Sequence, residues 1–524
     1  MKRIIRQILG WSLMLSLPLV MTSCGELFDM LDNPITPALQ VLRAQLTLKV
    51  GESKPIQAST QAHVVLLYSS DNPAVATVDA TGLITAVSPG TARITIKAQG
   101  EDDYYRTEIF SETTTTVEVT VTKKDGSISF ATSNVIKSFG DDAFTNPLTI
   151  VGDGTVTYSS NNSNVATVDA NGNVTIVDGG TAIITATTAT TDNYVYKTTK
   201  AQYTLKVYRT IDLATVTSDF TANDNYILTG TLAGNYKITI ADKANIELRD
   251  VTINGGNNPS TNWAGLTCDG NATITITGTN TVKGFYYDSP GIKAGPTSST
   301  LTINGTGTLT ATGGIFAAGI GSGWNATCGA ITISGGTVYA SSGQFGAGIG
   351  SGYEGSSCGA ITISGGTVNA SSAQYGAGIG SGYKNSSCKN ITISGGTVNA
   401  SSGDSGAGIG SGYANSSCGD ISISGGDITA SSSQYGAGIG SGYSSKFGNI
   451  TITSGITKVQ ATRNYATAWP IGKGDSDNGS GAVTINGVTV TSNTWDGTGL
   501  TGLNFATSST GGANLTWTLT PKVP

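Results

Sequence analysis

Apolar and polar residues alternate one by one over short stretches of this chain, as in the run from Ala92 to Lys97 and in Leu301-Thr-Ile-Asn304. Gly, Asn, Asp or Ser closes each stretch. A period of two sends successive side chains to opposite faces of a strand, and the closing residues favour turns. Beyond the N-terminus no segment carries the 3.6-residue period of an amphipathic helix. The pattern predicts an all-β protein of many short strands.

Two repeats subdivide it. The run from Tyr68 to Gly82, YSSDNPAVATVDATG, returns at an offset of 90 as YSSNNSNVATVDANG from Tyr158 to Gly172. At the same offset Gly90-Thr91-Ala92 returns as Gly180-Thr181-Ala182, and Asp102 with Tyr104 as Asp192 with Tyr194. Units of this size with regular short strands predict β-sandwiches. The words "SS-x-N-x-x-VATVD-x-x-G" and "V-x-x-G-x-A-x-I-T" resemble group 2 bacterial immunoglobulin-like domains. The resemblance implies two immunoglobulin-like sandwiches, over residues 38–123 and 124–208.

From residue 209 to 524 the repeat is shorter. Ala347-Gly-Ile-Gly-Ser-Gly-Tyr353, followed by Cys358 and Ala360-Ile-Thr-Ile-Ser-Gly-Gly-Thr-Val368, recurs every 30 residues, with copies opening at Ala377, Ala407 and Ala437. An earlier copy opens at Ala318, 29 residues upstream. One such unit cannot bury its own apolar face and must stack on the next. Three short strands per unit with Gly-rich corners predict a right-handed parallel β-helix. A propeller blade needs four strands in about 40 residues, more than the unit supplies. The last 25 or so residues leave the repeat, and their expected role is a cap over the open final coil.

Stacking turns every repeated letter into a column. Cys328, Cys358, Cys388 and Cys418 form one, expected to be buried free thiols because in-register neighbours point the same way. Trp324, Tyr353, Tyr383, Tyr413 and Tyr443 form an aromatic column, and Phe316, Phe345, Tyr375 and Tyr435 form a second that Ser405 interrupts. Exposed, the first column is a candidate platform for a linear polysaccharide. Internal stacking is the alternative, and strand parity favours it, because Tyr375 and Tyr383 share the parity of Ile379.

Charge narrows the chemistry. The net charge is −6 and only 12% of residues are charged. That leaves no basic patch for nucleic acid, and no nucleic-acid partner is expected. The only His, His63, lies in the first sandwich, so no Ser/His/Asp or Cys/His set can form in the helix. Between residues 311 and 450 stand seven charged residues, too few for paired catalytic carboxylates. The early coils are the open place, with Asp242, Lys243, Glu247, Arg249, Asp250, Asp269 and Lys283 near one another. Asp475 and Asp477 in Asp475-Ser-Asp477-Asn-Gly479 resemble the start of a calcium loop but lack its later Gly and Glu. The coil Gly291-Ile-Lys-Ala-Gly295 with Leu301-Thr-Ile-Asn-Gly-Thr-Gly-Thr-Leu-Thr310 is similar to the calcium-dependent carbohydrate-binding β-helix family, related in fold to polysaccharide lyases. The resemblance implies binding rather than cleavage, with calcium as the one cofactor raised. The later coils have lost the acids.

Lys2, Arg3 and Arg6 precede an apolar run from about Leu9 to Met21, which is too short to span a bilayer. Met21-Thr22-Ser23-Cys24 then resembles a lipobox. It implies a signal peptide over 1–24, acylation of Cys24, a tether over 25–37, and an outer-membrane protein at the cell surface that touches the membrane through its lipid only. The whole reading is a non-catalytic surface lipoprotein whose β-helix binds polysaccharide or a cell-surface glycan. The alternatives are an adhesin for host protein or cell surface, and a polysaccharide lyase.

Overall fold

A computed structural model describes residues 36–60, 64–100, 111–256, 258–510 and 513–522. Cys24, the signal peptide, nearly all of the tether, His63, Asp102 and Tyr104 lie outside the described residues. The described chain is all-β apart from two short 3-10 turns at Leu213–Thr215 and Pro259–Thr261. None of its helices is long and apolar enough to cross a membrane.

The two copies of the 90-residue module fold alike. In the first, Gln45–Lys49, Thr113–Thr122, Gly90–Gly100 and Val64–Ser70 form one sheet, and Ser53–Pro55, Leu83–Ala86 and Ala76–Val78 form another. Ile84, Ile94, Ile96, Val117 and Val119 are fully buried between them. The second copy repeats this with Ala166–Val168, Asn173–Ile176 and Gly180–Thr187, around Val174, Ile184 and Leu205. The repeated letters have local reasons. The Asp79 carboxylate accepts the N–H groups of Thr81 and Leu83, and that of Asp169 accepts those of Asn171 and Asn173. Each Asp thereby closes a turn.

The strand Lys200–Asp212 belongs to both modules. Its first part pairs antiparallel with Gly180–Thr187 inside the second sandwich. Its last four residues pair parallel with Tyr226–Thr229 in the first coil of the β-helix. The boundary expected at residue 208 thus falls inside one strand. Polar groups seal the junction. Asp178 accepts from Arg209 at 2.7 Å and from the Tyr226 hydroxyl at 2.9 Å. Asn225 donates to the Gly180 carbonyl at 2.9 Å.

Beyond it the coils stack with identical residues in register. Ile361 pairs with Ile391 and Ile391 with Ile421; Val368 pairs with Val398; Ile349, Ile379, Ile409 and Ile439 pair in succession. These side chains are 0% exposed and fill the tube. Each contributes roughly 1.5–3 kcal/mol relative to an exposed position. After each Ile of the last column stands a Gly with φ between 136° and 139° (Gly350, Gly380, Gly410, Gly440). A Cβ there would sit 1.8 Å from the carbonyl oxygen of the next coil, so only glycine lets the coils close at this corner.

A C-terminal strand lies against the final coils. Leu515–Pro521 runs antiparallel to Lys458–Arg463 and to Leu503–Ser508. Trp517, 0% exposed, plugs the end against Trp495 and Phe505, both ring pairs edge-on at 68°.

Candidate functional site

The aromatic columns stand on the outside of the tube. None of their rings belongs to the interior cluster or packs against it. The parity argument fails where the glycines after Tyr375 turn the chain. Ala377, Ile379 and Ser381 point inward, while Tyr375 and Tyr383 stay half-buried at the surface.

They are not a row of free faces either. Tyr353 stacks on Tyr383 at 5.5 Å and 21°, and Tyr383 on Tyr413 at 5.0 Å and 29°. Tyr443 follows Tyr413 at 5.2 Å, tilted by 55°. In the second column Phe316, Phe345 and Tyr375 stack at 5.3 and 5.6 Å. Cross contacts tie the columns together, Phe345 to Tyr383 at 5.5 Å and Tyr435 to Tyr443 at 5.4 Å. Within the near-parallel stacks the ring faces turn to one another along the axis, which sets ring edges and hydroxyls toward solvent. Trp324 begins the ladder and is 48% exposed. Its indole N–H donates to Glu354 at 3.2 Å, and Glu354 pairs with Lys384 at 2.7 Å. The Lys384 amine also lies 5.9 Å from the Tyr353 ring centre. Hydrogen bonds from Lys384 and Trp324 hold the Glu354 carboxyl below its ordinary pKa, so the brace is ionised near neutrality. Ser405 replaces a ring in the second column and is buried beneath its neighbours, its hydroxyl bonded to Asp404 at 2.7 Å.

The thiol column is internal. Cys268, Cys328, Cys358, Cys388 and Cys418 are free and buried. Contact with Cys328 and burial raise Cys358 well above the ordinary thiol range, as contact with Cys418 and burial raise Cys388. Burial pushes Cys268 up to about 12. These are packing groups held as thiols.

The acids of the early coils are engaged in structure. Burial would raise Glu247, but hydrogen bonds from Arg249 at 2.8 Å and Thr277 at 2.6 Å hold it below its ordinary value. Asp242 accepts the Asn271 N–H at 2.8 Å, and Asp250 accepts the Thr279 N–H at 2.9 Å. Each carboxylate joins one coil to the next. Asp475 accepts from the Thr467 hydroxyl, while Asp477 accepts from Ser441 and Ser480. Among the described residues no three His, Cys, Asp or Glu side chains converge as a metal cluster.

A feature that reading by columns missed lies at the corner after the thiols. Lys389, Asn390, Asp420, Lys446 and Asn449 interrupt positions that other coils fill with Gly, Ala or Ser. The signal was the departure from the repeat.

Residues 35–106 match the bacterial Ig-like domain of group 2. Residues 150–190 match the immunoglobulin-like domain of intimin. Residues 301–324, 331–353, 361–383, 391–413 and 421–443 match the β-helix repeat. The chain therefore joins bacterial Ig-like modules to a β-helix. Among solved structures, it is similar to domains 4 and 5 of the S-layer protein SbsC at 18% identity and a TM-score of 0.20, over 33% of this chain and 96% of that one. It is also similar to EC1-2 of human protocadherin-24 at 15% identity and a TM-score of 0.17, over 34% and 99%. No curated protein matches it. In the β-helix the matched segments hold all nine rings of the two aromatic columns, from Phe316 to Tyr443.

Proposed function

We propose that this protein is a non-catalytic, lipid-anchored surface protein that binds extracellular polysaccharide along the outside of its β-helix, the Ig-like modules acting as spacers. The observation that carries the reading is the external ladder of Trp324, Tyr353, Tyr383, Tyr413 and Tyr443, repeated coil by coil. A polymer laid along the axis meets phenol hydroxyls and ring edges at a fixed interval, and the half-exposed indole of Trp324 at one end. The early-coil acids support binding over cleavage, since Asp242, Glu247 and Asp250 already hold structural hydrogen bonds.

Tyr383→Ala with Tyr413→Ala is expected to weaken glycan binding by about 1–3 kcal/mol, roughly 5- to 150-fold, from about 0.5–1.5 kcal/mol per ring. The half-buried rings contribute far less to stability than core rings, so the melting temperature should shift only modestly. Titration against glycans that wild type binds on a glycan array, with thermal melts alongside, checks both. Unchanged affinity, or calcium-dependent turnover of the glycan that Asp250→Ala abolishes, would overturn the reading.

For the anchor, Cys24→Ser is expected to move the protein from the detergent phase to the aqueous phase in phase partitioning. Retention in the detergent phase would remove lipidation from the proposal.

A further inference from the structure

At the corner after the thiol column a cleft of about 760 Å³ runs along the tube. Its lining passes from Cys388 through Cys418 and Phe447 to Gly481, three coil steps or roughly 14 Å. Gly419, Gly448 and Gly481 leave part of its lining without side chains. A Cβ at Gly419 would meet the Asn390 side-chain oxygen at 2.4 Å, and one at Gly448 that of Asp420 at 2.4 Å. Those oxygens belong to a polar ladder. Asn390 accepts the Asp420 N–H at 3.1 Å, Asp420 accepts the Asn449 N–H at 2.7 Å, and Asn449 accepts the Ala482 N–H at 3.1 Å.

Two lysines border the cleft. Lys389 stands where coils above and below have Gly359 and Gly419, and Lys446 pairs with Ser417 in the column of Ser357 and Ser387. Both are exposed, and among the described residues neither has an ion-pair partner. The other lysines of the neighbouring coils are paired, Lys384 with Glu354 and Lys458 with Asp427. Asp420, beside the cleft, is occupied by the N–H and amide of Asn449. An open cleft with two unspent cations, whose neighbouring charges Glu354, Lys384, Asp427 and Lys458 are paired with one another, selects for negative charge.

We infer that this cleft binds an anionic stretch of a linear glycan, its carboxylates or sulfates meeting Lys389 and Lys446 and its hydroxyls the Asn390 and Asn449 amides. The inference rests on the reading of the β-helix as a polysaccharide binder and names the charge class of the ligand. The lysines lie two coil steps apart, roughly 10 Å, so one short oligosaccharide can reach both. Aromatic ladder and cleft follow each other along the coil, six residues apart at Tyr383 and Lys389 and three apart at Tyr443 and Lys446.

The test uses the full chain and two polymer pairs that differ in charge: dextran sulfate with dextran, and alginate with its propylene glycol ester. The charged member of at least one pair should bind more tightly than its neutral partner, with an advantage that fades as salt rises. Which pair responds tells sulfate from carboxylate. Lys389→Gln with Lys446→Gln should reduce that binding roughly tenfold at low salt, because two exposed charge contacts are lost. Lys54→Gln with Lys206→Gln removes the same charge from the Ig-like modules and should leave binding unchanged. Equal binding of charged and neutral polymers overturns the inference, and so does an unaffected cleft variant or an equal loss in the control. If the cleft variant binds like wild type while Tyr383→Ala with Tyr413→Ala loses binding, the cleft fails and the ladder stands. The reverse result retains the cleft and removes the ladder.

Discussion

Gly380→Ala is expected to lower stability by about 2–6 kcal/mol, the sum of about 1–3 for a strained backbone and about 1–3 for overpacking. The residue has φ 137°, and a Cβ there would lie 1.8 Å from the Gly410 carbonyl oxygen. That oxygen belongs to the next coil and cannot retreat without opening the stack. Because each coil touches only its neighbours, the damage should be local and appear as partial unfolding around coils 350–440. Gly256→Ala is the control, since a Cβ there meets nothing within 4 Å, and its effect should stay within about ±0.5 kcal/mol. Urea titrations followed by circular dichroism decide. A Gly380→Ala midpoint equal to wild type would contradict the coil register.

Trp517→Ala is expected to cost about 3–5 kcal/mol, by the usual loss for a buried aromatic ring. Trp517 is fully buried under Leu515–Pro521, the strand that closes the free edge at Lys458–Arg463. Its removal loosens the strand, and an opened edge recruits other chains. Lower urea resistance should therefore come with earlier onset of light scattering on heating. Trp517→Phe should recover most of the stability. If alanine is tolerated with no gain in aggregation, the C-terminal segment is not the closing element.

The architecture was legible because repetition states it outright. The 90-residue and 30-residue offsets separate sandwiches from solenoid, and the Cys and Ile columns could be named before any coordinates. The aromatic ladder was legible as a column but not as a surface. Parity presumes an unbroken strand, and the glycines around Tyr375 break it, so the rings turn outward while Ile379 stays inside. Nor could periodicity show that the rings would use their faces on one another. The cleft was hidden for a different reason. It is made of exceptions, Lys389 for glycine and Asn390 for alanine, and an eye tuned to a repeat discards exceptions. The boundary expected at residue 208 lies within a continuous strand, where Tyr208 still faces Ser138 of the sandwich and Arg209 already faces Tyr226 of the first coil, and a sequence pattern does not show that continuity.

That shared strand also governs how load travels. Lys200–Asp212 leaves one sheet and enters the next without a free residue between, and Asp178, Arg209 and Tyr226 clamp its flank. A flexible linker would let the solenoid swivel and shed torque under a sideways load. Here a pull on the outer coils passes straight into the sandwich as shear across paired strands. The solenoid and the module before it should act as a single lever, with any pivot placed N-terminal to residue 124.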